Sequence, residues 1–128
     1  MNENRILLVE DEEHLLKTIQ LNLELEGYKV RTASNGLDAL IQFKKEHFNL
    51  VILDVMLPLL DGFAVCESIR LENQELPIIF LTAKTNENDL LTGFNVGGDD
   101  YITKPFGPTP GMLPENKLLG TWFTTTFS

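Results

Sequence analysis

Short strand-like runs alternate with segments of helical period along most of the chain, and that alternation leaves few folds open. The runs are Arg5 to Val9, Lys29 to Ala33, Leu50 to Asp54, Ile78 to Thr82 and Tyr101 to Thr103. Between the first two, Leu15, Leu16, Ile19 and Leu23 recur at helical spacing and Gly27 supplies a stop, which predicts a helix over roughly Glu12 to Glu26. A second helix is expected over Gly36 to Glu46, with Leu37, Leu40 and Ile41 on one face. A third follows Asp61-Gly62 over roughly Phe63 to Leu71, and a fourth lies around Asn86 to Val96 before Gly97-Gly98. Strand and helix in strict turn favour a parallel sheet covered by helices on both faces, and uniformly apolar strands agree with burial on two sides. The expected fold is therefore α/β and doubly wound.

One residue breaks the apolar pattern where it is strongest. The stretch NLVILDVMLPLLDG places Asp54 directly after Leu50, Val51, Ile52 and Leu53, although a carboxylate buried without a partner is costly. In an open parallel sheet the carboxyl ends of the strands form the ligand-binding edge. Glu10 and Asp11 follow the first strand, Asp54 ends the third, Thr82 ends the fourth and Lys104 follows the fifth. If the first and third strands are neighbours, three carboxylates crowd together. Two of them about 4 Å apart repel by about 4 kcal/mol at an effective dielectric of about 20. A hard divalent cation relieves that repulsion, and magnesium in particular takes one or two carboxylates plus a phosphate oxygen.

Bulk properties exclude several function classes. With 128 residues, 43% of them apolar, the chain fits one domain with a sizeable core. A formal net charge of −9 opposes direct binding of nucleic acid or an anionic membrane by this segment. No apolar stretch approaches a membrane span, and MNENR lacks the features of a secretory signal. Cys66 is the single cysteine, so no internal disulfide forms and a reducing, cytoplasmic location is expected.

Each candidate also has a plain structural reading. Residues 10–13 (EDEE) serve as helix N-terminal acids, with Asp11 as a cap. Asp54, Thr82 or Lys104, taken singly, fit capping or surface roles. Asp61-Gly62 and Asp99-Asp100 read as turns and solvated faces, His14 and His47 as surface positions, and Cys66 as part of a packed helix. What raises the acid, threonine and lysine set above these readings is that every member falls at the same edge of the sheet.

The motifs ILLVEDE, VILDVMLPLLDG, IIFLTAK and GFNVGGDDYITKPF closely resemble the receiver domain of bacterial two-component response regulators, nearly continuously from Arg5 to Phe106. The resemblance implies a flavodoxin-like three-layer sandwich with a five-stranded parallel sheet in the order 2-1-3-4-5. It implies that Asp54 accepts a phosphoryl group from a sensor histidine kinase, and that Glu10, Asp11, Asp54 and the Met56 backbone carbonyl hold Mg2+, with Mn2+ as a substitute. Lys104, followed by Pro105, would contact the phosphoryl oxygens, while Thr82 and Tyr101 would move as the switch. Ala83 would leave the phosphoryl group accessible, and Met56 and Lys84 stand where the family tunes the lifetime of the phosphorylated form. The motif style resembles regulators with a winged-helix DNA-binding output domain, which implies a role in transcription for the full-length protein.

The tail departs from this pattern. A final helix is expected just after Phe106, but Pro108, Pro110 and Pro114 with Gly107, Gly111 and Gly120 oppose one. The sequence thus divides into a receiver domain, 1–106, and an atypical tail, 107–128. The tail either supplies Leu118, Leu119, Trp122, Phe123 and Phe127 as cover for the exposed core, in its own chain or exchanged with a second copy, or is a frameshift or cloning artefact. A homodimer is expected through the fourth-helix and fifth-strand face or through tail exchange. Two rival classes remain: an aspartyl-phosphate hydrolase, which usually needs a second acid where Met56 stands, and a pure interaction module that takes no phosphate.

Overall fold

The computed structural model describes residues 4–82 and 97–103, with the backbone alone described at 82 and 100–103. Its elements in chain order are β1 (Arg5–Val9), α1 (Glu13–Leu25), β2 (Lys29–Ala33), α2 (Gly36–Lys45), β3 (Leu50–Asp54), α3 (Gly62–Glu72), β4 (Ile78–Thr82) and β5 (Asp100–Thr103). The five strands form one sheet in the order β2-β1-β3-β4-β5, and every neighbouring pair is parallel. The strand order is the one the resemblance implied, and the strand bounds match the reading of the sequence except that β5 begins at Asp100, which the sequence suggested as a turn or solvated-face residue. The helix expected around Asn86 to Val96, together with Ala83, Lys84, Lys104, Pro105 and the tail 107–128, lies outside the described residues.

The period of two along each strand sorts the core into two halves. Ile6, Leu8, Leu50, Ile52, Ile79 and Leu81 point to the side of α1, where they meet Ile19 and Leu23. Leu7, Val9, Val51, Leu53, Ile78 and Phe80 point to the side of α2 and α3, against Ala39, Val65, Cys66 and Ile69. Phe63 meets Phe80 edge to face, with ring centroids 5.2 Å apart, a favoured aromatic geometry. All five residues of β3 are buried, and each large side chain so buried contributes about 1.5–3 kcal/mol of transfer free energy. The central strand is buried along its whole length. It is also the one that carries Asp54.

Helix α2 corrects one expectation. Its buried residues are Gly36 and Ala39, with Leu40 and Phe43 packed against the core, whereas Leu37 and Ile41 are about half exposed. Gly36 lies against the backbone of Leu60, where a Cβ would clash, and the helix's contact face is rotated from the one marked by the largest side chains. Each helix among the described residues begins on a side-chain cap: Glu12 for α1, Asn35 for α2 and Asp61 for α3. Such caps satisfy backbone N–H groups that have no partner within the helix.

Gly62 opens α3 at a point of close approach. A Cβ there would press on the Asp54 carbonyl oxygen and the Val55 Cα, nearer than real side chains come, and the Gly62 N–H donates to the Val55 carbonyl at 2.9 Å. Both obstructing atoms are backbone, so neither yields cheaply. Gly62→Ala is expected to lower unfolding free energy by about 1–3 kcal/mol, read as a fall in the denaturant midpoint at unchanged slope.

Candidate functional site

Strand pairing assembles the site. Val9 of β1 is in register with Leu53 of β3, so the next residues, Glu10 just past β1 and Asp54 at the end of β3, come side by side at the carboxyl edge. The Glu10 N–H donates to the Ala33 carbonyl at 3.0 Å, and the Val55 N–H to the Leu81 carbonyl at 3.1 Å, which fixes the backbone on either side of the pocket. Glu10 and Asp54 are buried and Asp11 is exposed; one carboxylate oxygen from each lies within 4.8 Å of the other two. The physical reading and the structure agree on this trio.

Local hydrogen bonds orient the carboxylates. A Glu10 oxygen accepts the Glu12 N–H at 2.9 Å, and Asp54 Oδ1 accepts the Met56 N–H at 3.2 Å. The cap of α1 is Glu12, whose carboxylate accepts from His14 and Leu15, so Asp11 does not serve the role that its position allowed. That leaves Asp11 for the pocket. The Met56 side chain is 77% exposed, pointing away while its backbone stays beside Asp54.

The remaining predicted residues are placed by backbone only, or not at all. Asp54 is in register with Leu81, so Thr82 lies one step further along β4 at the same edge. Tyr101 pairs with Phe80 within the sheet. Lys104 follows Thr103 in sequence and lies outside the described residues. His14 and His47 are exposed and Cys66 is buried, as the sequence led one to expect.

The donor set is all carboxylate, from two separate elements, with both buried members desolvated. Two carboxylate charges at this limiting separation repel by about 3.5 kcal/mol at an effective dielectric of about 20. Hard oxygen ligands of this kind match a hard divalent cation and not a thiolate- or imidazole-seeking metal. The chemistry of the three side chains thus fits the acidic pocket of a divalent-cation site.

Sequence reasoning missed one polar cluster. Asp99, read as a solvated turn residue, accepts the Ile78 N–H at 2.8 Å and pairs with Arg70 at 3.0 Å. No local signal links residues 29 positions apart.

Two measurements follow from the geometry. A divalent cation at ten times its dissociation constant should stabilise the fold by about 1.4 kcal/mol, seen as a rise in melting temperature that Asp11→Asn largely abolishes. Burial pushes the Cys66 thiol up to about 11, against the pull of Arg70. Because the folded value lies above the ordinary 9.0, the thiol's share of stability is full below that value and falls as pH climbs through about 11. Alkylation by iodoacetamide at pH 8 should accordingly be slow in the native protein and fast in denaturant.

Comparison with known proteins identifies the frame in which this pocket sits. Residues 6–112 match the family model described as response regulator receiver domain. The chain is 48% identical over 106 residues to a probable transcriptional regulator ycf27 of Porphyra purpurea, covering 83% of this chain and 43% of that protein. It is 49% identical over 104 residues to the alkaline phosphatase synthesis transcriptional regulatory protein PhoP of Bacillus subtilis, covering 81% and 43%. It therefore spans less than half the length of these relatives. Among solved structures, the non-phosphorylated HemR receiver domain of Leptospira biflexa superposes with a TM-score of 0.83 at 34% identity, covering 98% of this chain and 95% of that one. The chemotaxis protein CheY4 of Vibrio cholerae gives 0.84 at 29% identity, covering 96% and 98%. A parallel sheet in this strand order, a carboxylate trio at its edge and a family match over most of the sequence lead to one conclusion: the chain belongs to the response regulator receiver domain family.

Proposed function

We propose that this chain is the phosphoacceptor module of a two-component signalling protein, and that Asp54 is the residue phosphorylated. The observation that carries the reading is the buried Asp54 carboxylate at the end of β3, within 4.8 Å of carboxylates from Glu10 and Asp11. A deprotonated Asp54 oxygen attacks the phosphorus of a phosphohistidine on a sensor kinase, forming an O–P bond as the N–P bond breaks, and the imidazole leaves to take up a proton. Glu10, Asp11, Asp54 and the Met56 carbonyl would hold Mg2+, or Mn2+ in its place. Bound there, such a cation offsets charge on the carboxylates and the phosphoryl oxygens. Lys104 would contact the phosphoryl oxygens. In-line transfer asks mainly for positioning and charge neutralisation, and these residues supply both.

The switch would run through Thr82 and Tyr101, on the adjacent strands β4 and β5. A new phosphoryl group near the Thr82 position favours whichever packing of that edge makes more contacts with it, and the population shifts accordingly. On this account the protein is a signalling acceptor and not a turnover enzyme. Its partner is a sensor histidine kinase in the cytoplasm, with homodimerisation through the fourth-helix and fifth-strand face or by tail exchange. Relatives named as transcriptional regulators support an output in transcription, with residues 1–106 as the receiver and 107–128 as an atypical continuation.

Incubation with acetyl phosphate and Mg2+ should add one phosphate per chain, mapped to Asp54 by borohydride trapping and mass spectrometry, and none to Asp54→Asn. Labelling elsewhere, or continuous phosphate release with no stable adduct, would refute the assignment.

A further inference from the structure

The opposite edge of the sheet carries a second polar arrangement, built around one arginine. Arg70, near the end of α3, has a side chain only 15% exposed. Its Nε and Nη2 donate to the Gly97 carbonyl at 2.9 and 2.7 Å. Nη1 donates to the carbonyls of Asn73 at 3.1 Å and Leu76 at 2.6 Å, and Nη2 also reaches Asp99 Oδ2 at 3.0 Å. That same Asp99 oxygen accepts the Ile78 N–H at 2.8 Å, and the Asp99 N–H donates to the Ile78 carbonyl at 2.8 Å. Gly97 has a φ of +106°, and a Cβ there would strike the Arg70 side chain, so the backbone is shaped around the guanidinium. One planar fork thus ties the end of α3, the approach to β4 and the approach to β5.

Strand β5 needs such a tie. It has four residues and, among the described residues, lies at the edge of the sheet and pairs with β4 alone. Its register, Ile79 with Asp100, begins one step after the Asp99–Ile78 pair. A slip of one residue would move everything beyond the strand by about 3.3 Å and turn each side chain to the other face. The residue immediately beyond is Lys104.

We propose that Arg70, through Asp99 and Ile78, is a positioning residue: it sets the register of β5, the strand from which the sequence runs directly on to Lys104. This rests on the reading of Lys104 as the phosphoryl contact.

The test compares phosphorylation rates by acetyl phosphate with Mg2+ in the wild type, Arg70→Ala, Lys104→Ala and the double variant, alongside amide hydrogen exchange. Arg70→Ala should slow labelling of Asp54 by about tenfold, since small misplacements of a reacting group cost that much or more. In the Lys104→Ala background the same change should cost less than about twofold, because the group it positions is gone. Exchange at residues 101–103 should quicken while β1 stays protected, and Arg70→Lys should fall between wild type and Arg70→Ala. Equal slowing in both backgrounds, or unchanged exchange in β5, overturns the proposal. If Arg70→Ala does not fold, Asp99→Asn, which keeps an oxygen for the Ile78 N–H but removes the charge, carries the same comparison against Lys104→Ala. Failure of the wild type to label at Asp54 would instead defeat the functional reading beneath it.

Discussion

The parallel pairing of β1 with β3 is the constraint from which the rest follows. Because Val9 faces Leu53, the next residues of the two segments, Glu10 and Asp54, come side by side, and both are acids. Neither strand can shift to separate them without moving an alternating set of buried side chains onto the wrong face. The hydrophobic effect thus holds Glu10 and Asp54 against their mutual repulsion. Favourable burial over many apolar groups sets the position of a few unfavourable charges, and the resulting strain is what a cation or a phosphoryl group can relieve.

The helices then refine what the strands have brought together. Glu12 caps α1 with its own carboxylate, while Glu10 accepts the Glu12 N–H, so neighbouring acids take different tasks. Asp61 caps α3 just before Gly62 presses its backbone against the end of β3. The turn that follows Asp54 is held from both ends, and the Asp54 carboxylate accepts the Met56 N–H within it. At the other end of the sheet, the Arg70 guanidinium gathers carbonyls from three segments. These contacts lie where β5 begins its pairing with β4.

Most of this was legible in the residues. Strand positions follow from apolar runs, and the carboxyl-edge rule gathered Glu10, Asp11 and Asp54 before any geometry was known. The order of the strands came only from resemblance, since periodicity carries no information on which strands are neighbours. Leu37 and Ile41 misled because size is a poor guide to facing, and the buried residues of α2 are the small Gly36 and Ala39. Asp99 was read as a turn because its partners, Arg70 and Ile78, are distant in sequence. Long-range polar contacts leave no periodic trace, so they appear only when the chain is folded.

The central claim is that this sheet edge forms one pocket for a divalent cation and a phosphoryl group together. Crystals grown with Mg2+ and beryllium fluoride test it most directly. The account predicts beryllium fluoride attached to a carboxylate oxygen of Asp54, with a cation about 2.1 Å from carboxylate oxygen in the same pocket. Beryllium fluoride bound elsewhere, or Glu10 and Asp11 turned away from an occupied Asp54 with no cation between them, would contradict it.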